Sequence, residues 1–138
     1  MSARDKIHPQ VVNALVKDGW TITHDPLTVR WKERQLQVDL GAERLLAAEK
    51  GAEKIAVEIK SFIGANDLGD LYNALGQFIL YQEALSQKEP DRTLYLSLEE
   101  KAYRQIFADV AGESLRARAN VKLLVFNKAT ETIVLWKQ

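Results

Sequence analysis

The 138-residue sequence contains no cysteine, one methionine, three prolines and two histidines, and its charges cancel at 19 Lys+Arg against 19 Asp+Glu. Without a thiol there is no disulfide framework, no Cys-ligated zinc or iron–sulfur site and no thiol nucleophile. Proline and glycine are few and scattered, there is no internal repeat or low-complexity tract, and the length reads as a single domain. No apolar run approaches the roughly 18–20 residues of a membrane span. The opening residues Met1-Ser2-Ala3-Arg4-Asp5-Lys6 lead into a mixed helical pattern rather than an apolar signal core, which predicts no export. What is present is ordinary for a globule, 46% hydrophobic and 28% charged residues. That composition excludes a mostly disordered chain.

Zero net charge argues at first against a nucleic-acid partner, because affinity for phosphate comes largely from basic residues. The distribution says something different. Residues 67–100 carry a net −5, residues 101–138 a net +4 and residues 1–66 a net +1. Arg104, Arg116, Arg118 and Lys122, with Lys32 and Arg34 in a loop, are therefore candidates for a local phosphate-facing surface. Strong non-specific DNA binding by the isolated chain is not expected, and the acidic middle segment suits a protein partner.

Ile7, Val11, Val12, Leu15 and Val16 recur at helical spacing before the stop signal Gly19, predicting a helix over 5–18 whose start Pro9 restricts. Residues 20–24 (WTITH), 28–31 and 36–40 read as strands, the last two flanking the polar loop Lys32-Glu33-Arg34. Residues 42–50 suit either a short helix or an extended connection. Residues 55–60 alternate cleanly as a strand. Asn66 or Asp67 can cap a long helix ending before Pro90, with Leu71, Leu75, Phe78 and Leu85 as its apolar stripe and Tyr72 and Ile79 at its flanks. A strand at 93–98, a helix at 99–109 broken by Gly112, and a hairpin of 121–126 with 132–136 complete the chain. The fold class is α/β (α+β), a mixed sheet flanked by helices.

The strand at 55–60 carries the chemistry. Period two points Ile55, Val57 and Ile59 into the core and Ala56, Glu58 and Lys60 the other way. In 36–40 the same alternation leaves Gln37 and Asp39 opposite Leu36, Val38 and Leu40. If the two strands pair with their apolar faces on one core, Asp39 and Glu58 converge with Lys60 beside them. Two carboxylates and an ammonium are what metal-assisted phosphodiester hydrolysis requires. Mg²⁺ (or Mn²⁺) takes one or two carboxylates plus a phosphate oxygen, and the carbonyl of Ile59 offers a further ligand. Lys60 would position or deprotonate the attacking water, or hold the scissile phosphate. Gln77 and Tyr81 stand i and i+4 on the long helix, placed to orient Lys60 or a water and to hydrogen-bond a phosphate.

Asp39, eighteen residues, Glu58-Ile59-Lys60 and then Gln77-Phe78-Ile79-Leu80-Tyr81 resemble the PD-(D/E)XK nuclease superfamily, in the branch with a Q-x-x-x-Y motif on the following helix. That resemblance implies a restriction-endonuclease-like α-β-β-β-α-β core and Mg²⁺-dependent cleavage of nucleic acid. The stretches VVNALVKDGWTITH (11–24), VDLGAERLLAAEK (38–50), KIAVEIKSF (54–62), ALGQFILY (74–81) and VKLLVF (121–126) resemble the XisH family, the fdxN element excision controlling factors of cyanobacteria. This implies a cytoplasmic accessory protein acting on DNA with a second small factor, XisI, and a site-specific recombinase during heterocyst differentiation. Many nucleases of the superfamily complete the metal site with a Glu on the first helix. Here that helix has only Asp5 and Asp18 near its ends and Asn13 between, so one ion is expected rather than two.

Each residue also has a plainer reading. Glu58 and Lys60 can be an ion pair on an exposed strand face, and Gln77 and Tyr81 the polar edge of an amphipathic helix. His8 and His24 read as structural or solvent-facing, Trp20, Trp31 and Trp136 as core or interface anchors, and Glu43, Arg44 and Glu49 as a solvated helix face. The enzymatic reading competes with a non-catalytic DNA-binding or protein-interaction regulator that keeps the fold. A symmetric homodimer is the prior assembly.

Overall fold

The computed structural model describes residues 3–36, 45–62 and 68–138, with side chains from residue 7 onward. The first helix, α1 (Ala3–Lys17), turns Ile7, Val11, Ala14 and Leu15 inward. Pro9 lies inside it rather than at its start. A proline near a helix start removes a single ladder bond, and the buried stripe on either side holds the helix through it.

Strand β1 (Thr21–His24) follows, and then a small separate hairpin, β2 (Val29–Trp31) and β3 (Arg34–Leu36). Strands β4 (Leu45–Lys50) and β5 (Glu53–Ile59) pair antiparallel around a tight turn at Gly51, whose φ of 62° lies in the left-handed region. Helix α2 (Leu68–Lys88) crosses to β6 (Arg92–Glu99), which lies parallel to β5. Helices α3 (Glu100–Ile106) and α4 (Val110–Ala119) lead to β7 (Leu123–Asn127) and β8 (Thr132–Lys137). Apart from the inserted hairpin, α1 to β6 runs α-β-β-β-α-β, as expected of an endonuclease-like core. The main sheet has the order β1-β4-β5-β6-β7-β8.

The open choice for residues 42–50 resolves to a strand over Leu45–Lys50. LLAAEK has helical composition, yet β4 fills the place between β1 and β5, and ladder bonds on both edges override propensity. The expected pairing of 36–40 with the strand at 55–60 does not occur. Both edges of β5 are occupied, by β4 and β6. Residues 37–44, Asp39 among them, and the expected caps Asn66 and Asp67 lie outside the described residues.

Each face of the sheet has its own core. Val57, Ile55, Leu46, Tyr95 and Leu124 pack under α1, while Ala56, Leu45, Leu96, Phe78 and Leu85 pack on the side of α2. β5 is therefore buried on both faces, and the expectation that one of its faces looks away from the core is corrected.

Two devices fasten the C-terminal half. Gly112 does not break a helix but sits inside α4, where an added Cβ would lie 2.1 Å from the carbonyl oxygen of Ile106. Asp109 caps this helix by accepting from the Gly112 N–H at 2.7 Å. Arg116, expected to face phosphate, is buried instead. It donates to Glu113 at 2.6 and 2.9 Å and to the Val121 carbonyl at 2.9 Å. The hydrogen bonds from Arg116 hold the Glu113 carboxyl well below the ordinary carboxylate range, at about 2.

Two predictions follow from this fastening. Gly112→Ala should destabilise the fold by about 1–3 kcal/mol through forced overpacking, seen as a lower urea midpoint; an unchanged midpoint would contradict the tight α3–α4 contact. Glu113 has a lowered folded pKa, so the unfolded chain binds more protons as pH drops below the ordinary carboxylate value. Its contribution to stability is complete at neutral pH and fades as pH falls toward about 2. Glu113→Gln should therefore make the urea midpoint less sensitive to pH between 5 and 3, and an identical pH slope in both proteins would refute the linkage.

Candidate functional site

Glu58 lies third from one side of a six-stranded sheet, near the end of β5. Its register partners are Leu45 on β4 and Leu96 on β6, both fully or nearly fully buried on the same face. Opposed residues in a ladder share a face, so the carboxylate stands in a row of leucines beneath α2. Glu58 is 1% exposed and Lys60, two residues on and therefore on the same face, is 2% exposed. The plain reading of the two as an exposed ion pair is excluded by that burial. Ser97, fully buried on β6, donates from Oγ to the Glu58 carbonyl at 3.2 Å and fixes the backbone at this point. Sequence reading passed over Ser97, whose only signal is a lone hydroxyl within the apolar run LYLSL.

Among the expected supporting residues, Tyr81 is brought to the site's side of the molecule. The inward stripe of α2 is Ala74, Phe78, Tyr81 and Leu85, and Tyr81 is 4% exposed within the same core as Leu45, Ala56 and Leu96. It is thus no polar edge. Gln77, one turn earlier, is half-buried at the margin of that stripe. Tyr72 and Ile79, expected to flank the stripe, face outward. The structure thus places Glu58, Lys60 and Tyr81 in one layer between sheet and α2, with Gln77 at its edge and Ile59 as the last residue of the β5 ladder. Asp39 is the one expected site residue outside the described part.

Neither histidine joins this layer as a ligand. His8 Nε2 contacts the Asp25 carboxylate at 2.8 Å, and His24 Nδ1 meets the Thr23 hydroxyl at 3.0 Å. Trp20 and Trp136 stack at 5.9 Å on the α1 side, with Tyr95 edge-on to Trp136 at 4.9 Å, as core anchors. Glu49 belongs to β4, not to a helix, and its carboxylate lies 3.7 Å from the buried Arg92 guanidinium. Among the described residues no group of three or more His, Cys, Asp or Glu forms a metal cage. A hard ion at this face would draw on the Glu58 carboxylate and the Ile59 carbonyl, donors of the oxygen type that Mg²⁺ prefers, with further ligands from residues outside the described part. Among the described residues no helix is long and apolar enough to cross a membrane.

Fold and site together define an α+β protein of α-β-β-β-α-β order that carries a buried carboxylate and a buried amine two residues apart on its central strand. Comparison with known proteins makes this specific. The family model described as XisH protein matches residues 1–134, and the chain belongs to the XisH family. An XisH family protein from Nostoc punctiforme PCC 73102 is 38% identical and superimposes with a TM-score of 0.87, over 97% of this chain and 100% of that one. An fdxN element excision controlling factor protein from Anabaena variabilis is 39% identical with a TM-score of 0.88, over 97% and 99% respectively. Among curated proteins none matches.

Desolvating an ion costs several kcal/mol even after relaxation, and removing one of two opposite buried charges strands the other. Lys60→Met should therefore destabilise by about 3 kcal/mol or more, whereas Glu58→Met/Lys60→Met together should be close to neutral or stabilising. Urea unfolding of the two singles and the double measures this. Additive losses in the double variant would show that the two charges are not coupled.

Proposed function

We propose that this protein is an excision controlling factor of the XisH type, a cytoplasmic accessory to rearrangement of a DNA element. On this reading it carries a Mg²⁺-dependent phosphodiesterase site at the end of β5. The observation that carries the proposal is the burial of Glu58 and Lys60 on one face of the central strand, in a row otherwise made of leucine. A fold retains two desolvated charges at such a place against a stability cost of several kcal/mol, which fits a site kept for chemistry. The name of the Anabaena variabilis relative supplies the process.

In this reading Asp39, Glu58 and the Ile59 carbonyl hold one Mg²⁺ or Mn²⁺. When bound, the ion supplies Lewis-acid stabilisation of the phosphorane-like charge and a more acidic water. Lys60 donates hydrogen bonds to the scissile phosphate or orients the attacking water. Tyr81 Oη donates to a phosphate oxygen, and Gln77 orients Lys60 or the water from the next turn. An XisI-type protein and a site-specific recombinase are the partners this role calls for, and the acidic segment 67–100 suits a protein contact.

The depth of Glu58 and Lys60 also favours a second reading, a regulator that keeps the nuclease fold without turnover and acts through its XisI-type partner. The two part in one assay. Purified protein, alone and with such a partner, is incubated with duplex, nicked and branched DNA and Mg²⁺ or Mn²⁺. The enzymatic reading expects cleavage that EDTA abolishes and that Glu58→Ala and Lys60→Ala reduce by at least about 100-fold, with a smaller loss for Tyr81→Phe. No cleavage by either preparation, together with normal element excision in cells carrying Lys60→Ala, would leave the regulator.

A further inference from the structure

The β2–β3 hairpin stands apart from the main sheet, and its composition is unlike that of the sheet. Its two-residue loop, Lys32-Glu33, joins Trp31 and Arg34, which face each other across the ladder. Arg30, Lys32 and Arg34 are exposed while Glu33 is the single acid, so nine residues from 28 to 36 carry a net +2. Among the described residues no carboxylate pairs with any of these three cations. Elsewhere Arg92, Arg104, Arg116 and Lys137 are each tied to a glutamate.

The hairpin is firmly held at its base. Val29 is buried in the core beneath α2 and Leu36 packs against it. Leu27, just before β2, donates its N–H to the Leu45 carbonyl at 2.8 Å, and Leu45 is the register partner of Glu58. The root of the hairpin is thus one strand row from the candidate site. Three residues at about 3.3 Å each carry the tip roughly 10 Å from that root.

The tip is held in a costly conformation. Lys32 has a φ of 56°, in the left-handed region that a hairpin loop normally gives to glycine. Its ammonium lies 5.6 Å from the centre of the Trp31 ring. Arg30 on the outer face donates to the Glu33 carbonyl at 3.4 Å, while Arg34 is on the other face, opposite Trp31. A lysine kept where glycine would fold more easily points to use of its charge. Cations on both faces and at the tip suit a ribbon flanked by two phosphate walls, and a two-stranded ribbon fits the major groove of duplex DNA, about 12 Å wide.

We propose that the β2–β3 hairpin is the element by which this protein grips the phosphodiester backbone of duplex DNA, through Arg30, Lys32 and Arg34 with Trp31 stiffening the tip, and feeds it toward Glu58. The inference rests on the reading of DNA as the substrate, but not on cleavage. The full chain in EDTA, which blocks metal-dependent cleavage, is titrated against a fluorescein-labelled 30-base-pair duplex and the matching single strand from 50 to 200 mM KCl. Arg30→Gln/Lys32→Gly/Arg34→Gln should weaken duplex binding by about tenfold or more at 50 mM and lower the slope of log K against log salt by roughly 2–3. Lys32→Gly alone should lower the slope by about 1 while its Tm stays equal or rises, which separates lost contact from lost folding. Unchanged affinity and slope in both variants would overturn the proposal, as would wild-type protein that binds neither DNA, or that prefers the single strand and keeps this preference in the triple variant. Weakened duplex binding supports the hairpin role whether or not Mg²⁺ then brings about cleavage, so its failure and that of the nuclease reading are told apart.

Discussion

The structure depends on one constraint, that β5 is enclosed on every side. Its edges are taken by β4 and β6, and its faces are covered by α1 on one side and α2 on the other. Each neighbour of β5 is then fixed by backbone pairing or by apolar burial. A strand so placed would ordinarily be apolar throughout, since parallel pairing with both faces covered favours continuous hydrophobic runs. Ile55, Ala56, Val57 and Ile59 obey that rule, and Glu58 and Lys60 break it. Because the surrounding elements over-determine the strand, they can hold two desolvated ionisable groups that an edge strand would release to solvent. The rigidity that makes the fold is also what would preorganise a site there.

Much of this was legible in the residues. Helical spacing located α1 and α2, and period two located β5, because a strong pattern survives in any tertiary setting. The α-β-β-β-α-β order and the singling out of Glu58, Lys60 and Tyr81 rested on the same patterns together with the family resemblance. What escaped notice was set by long-range packing. Alternation in IAVEIK cannot show that both faces are buried, since alanine at position 56 is equally at home under a helix or in solvent. LLAAEK becomes strand β4 only because β1 and β5 stand ready on both sides of it. Gly112 looks like a helix breaker until the backbone of Ile106 and Phe107 is found where a Cβ would go.

Buried arginine is the other feature that a linear reading misjudges. Arg92 is nearly inaccessible, donating to the Ile55 carbonyl at 3.0 Å and to Glu89 at 3.2 Å. It thereby ties the start of β6 to β5 and to the end of α2. Arg116 does the same for α4 and β7. The guanidinium suits this work because it presents several donors in one plane and stays charged when buried. Neither residue's sequence neighbourhood distinguishes it from an exposed arginine such as Arg118.

These internal arginines change what charge neutrality means here. The excess of bases in 101–138 is largely spent within the fold, with Arg104 on Glu100 and both Arg116 and Lys137 on Glu113. The phosphate-facing surface expected from that segment therefore shrinks to residues such as Arg118 and Lys122. The hairpin, by contrast, belongs to the segment whose net charge is almost nil, and its three cations have no carboxylate partner among the described residues. A net count over a segment averages these two situations into the opposite conclusion. The field a polyanion meets is set by which cations are left unneutralised at the surface and by how they are grouped. By that measure the basic face of this protein lies at β2–β3, beside the strand row that holds Glu58.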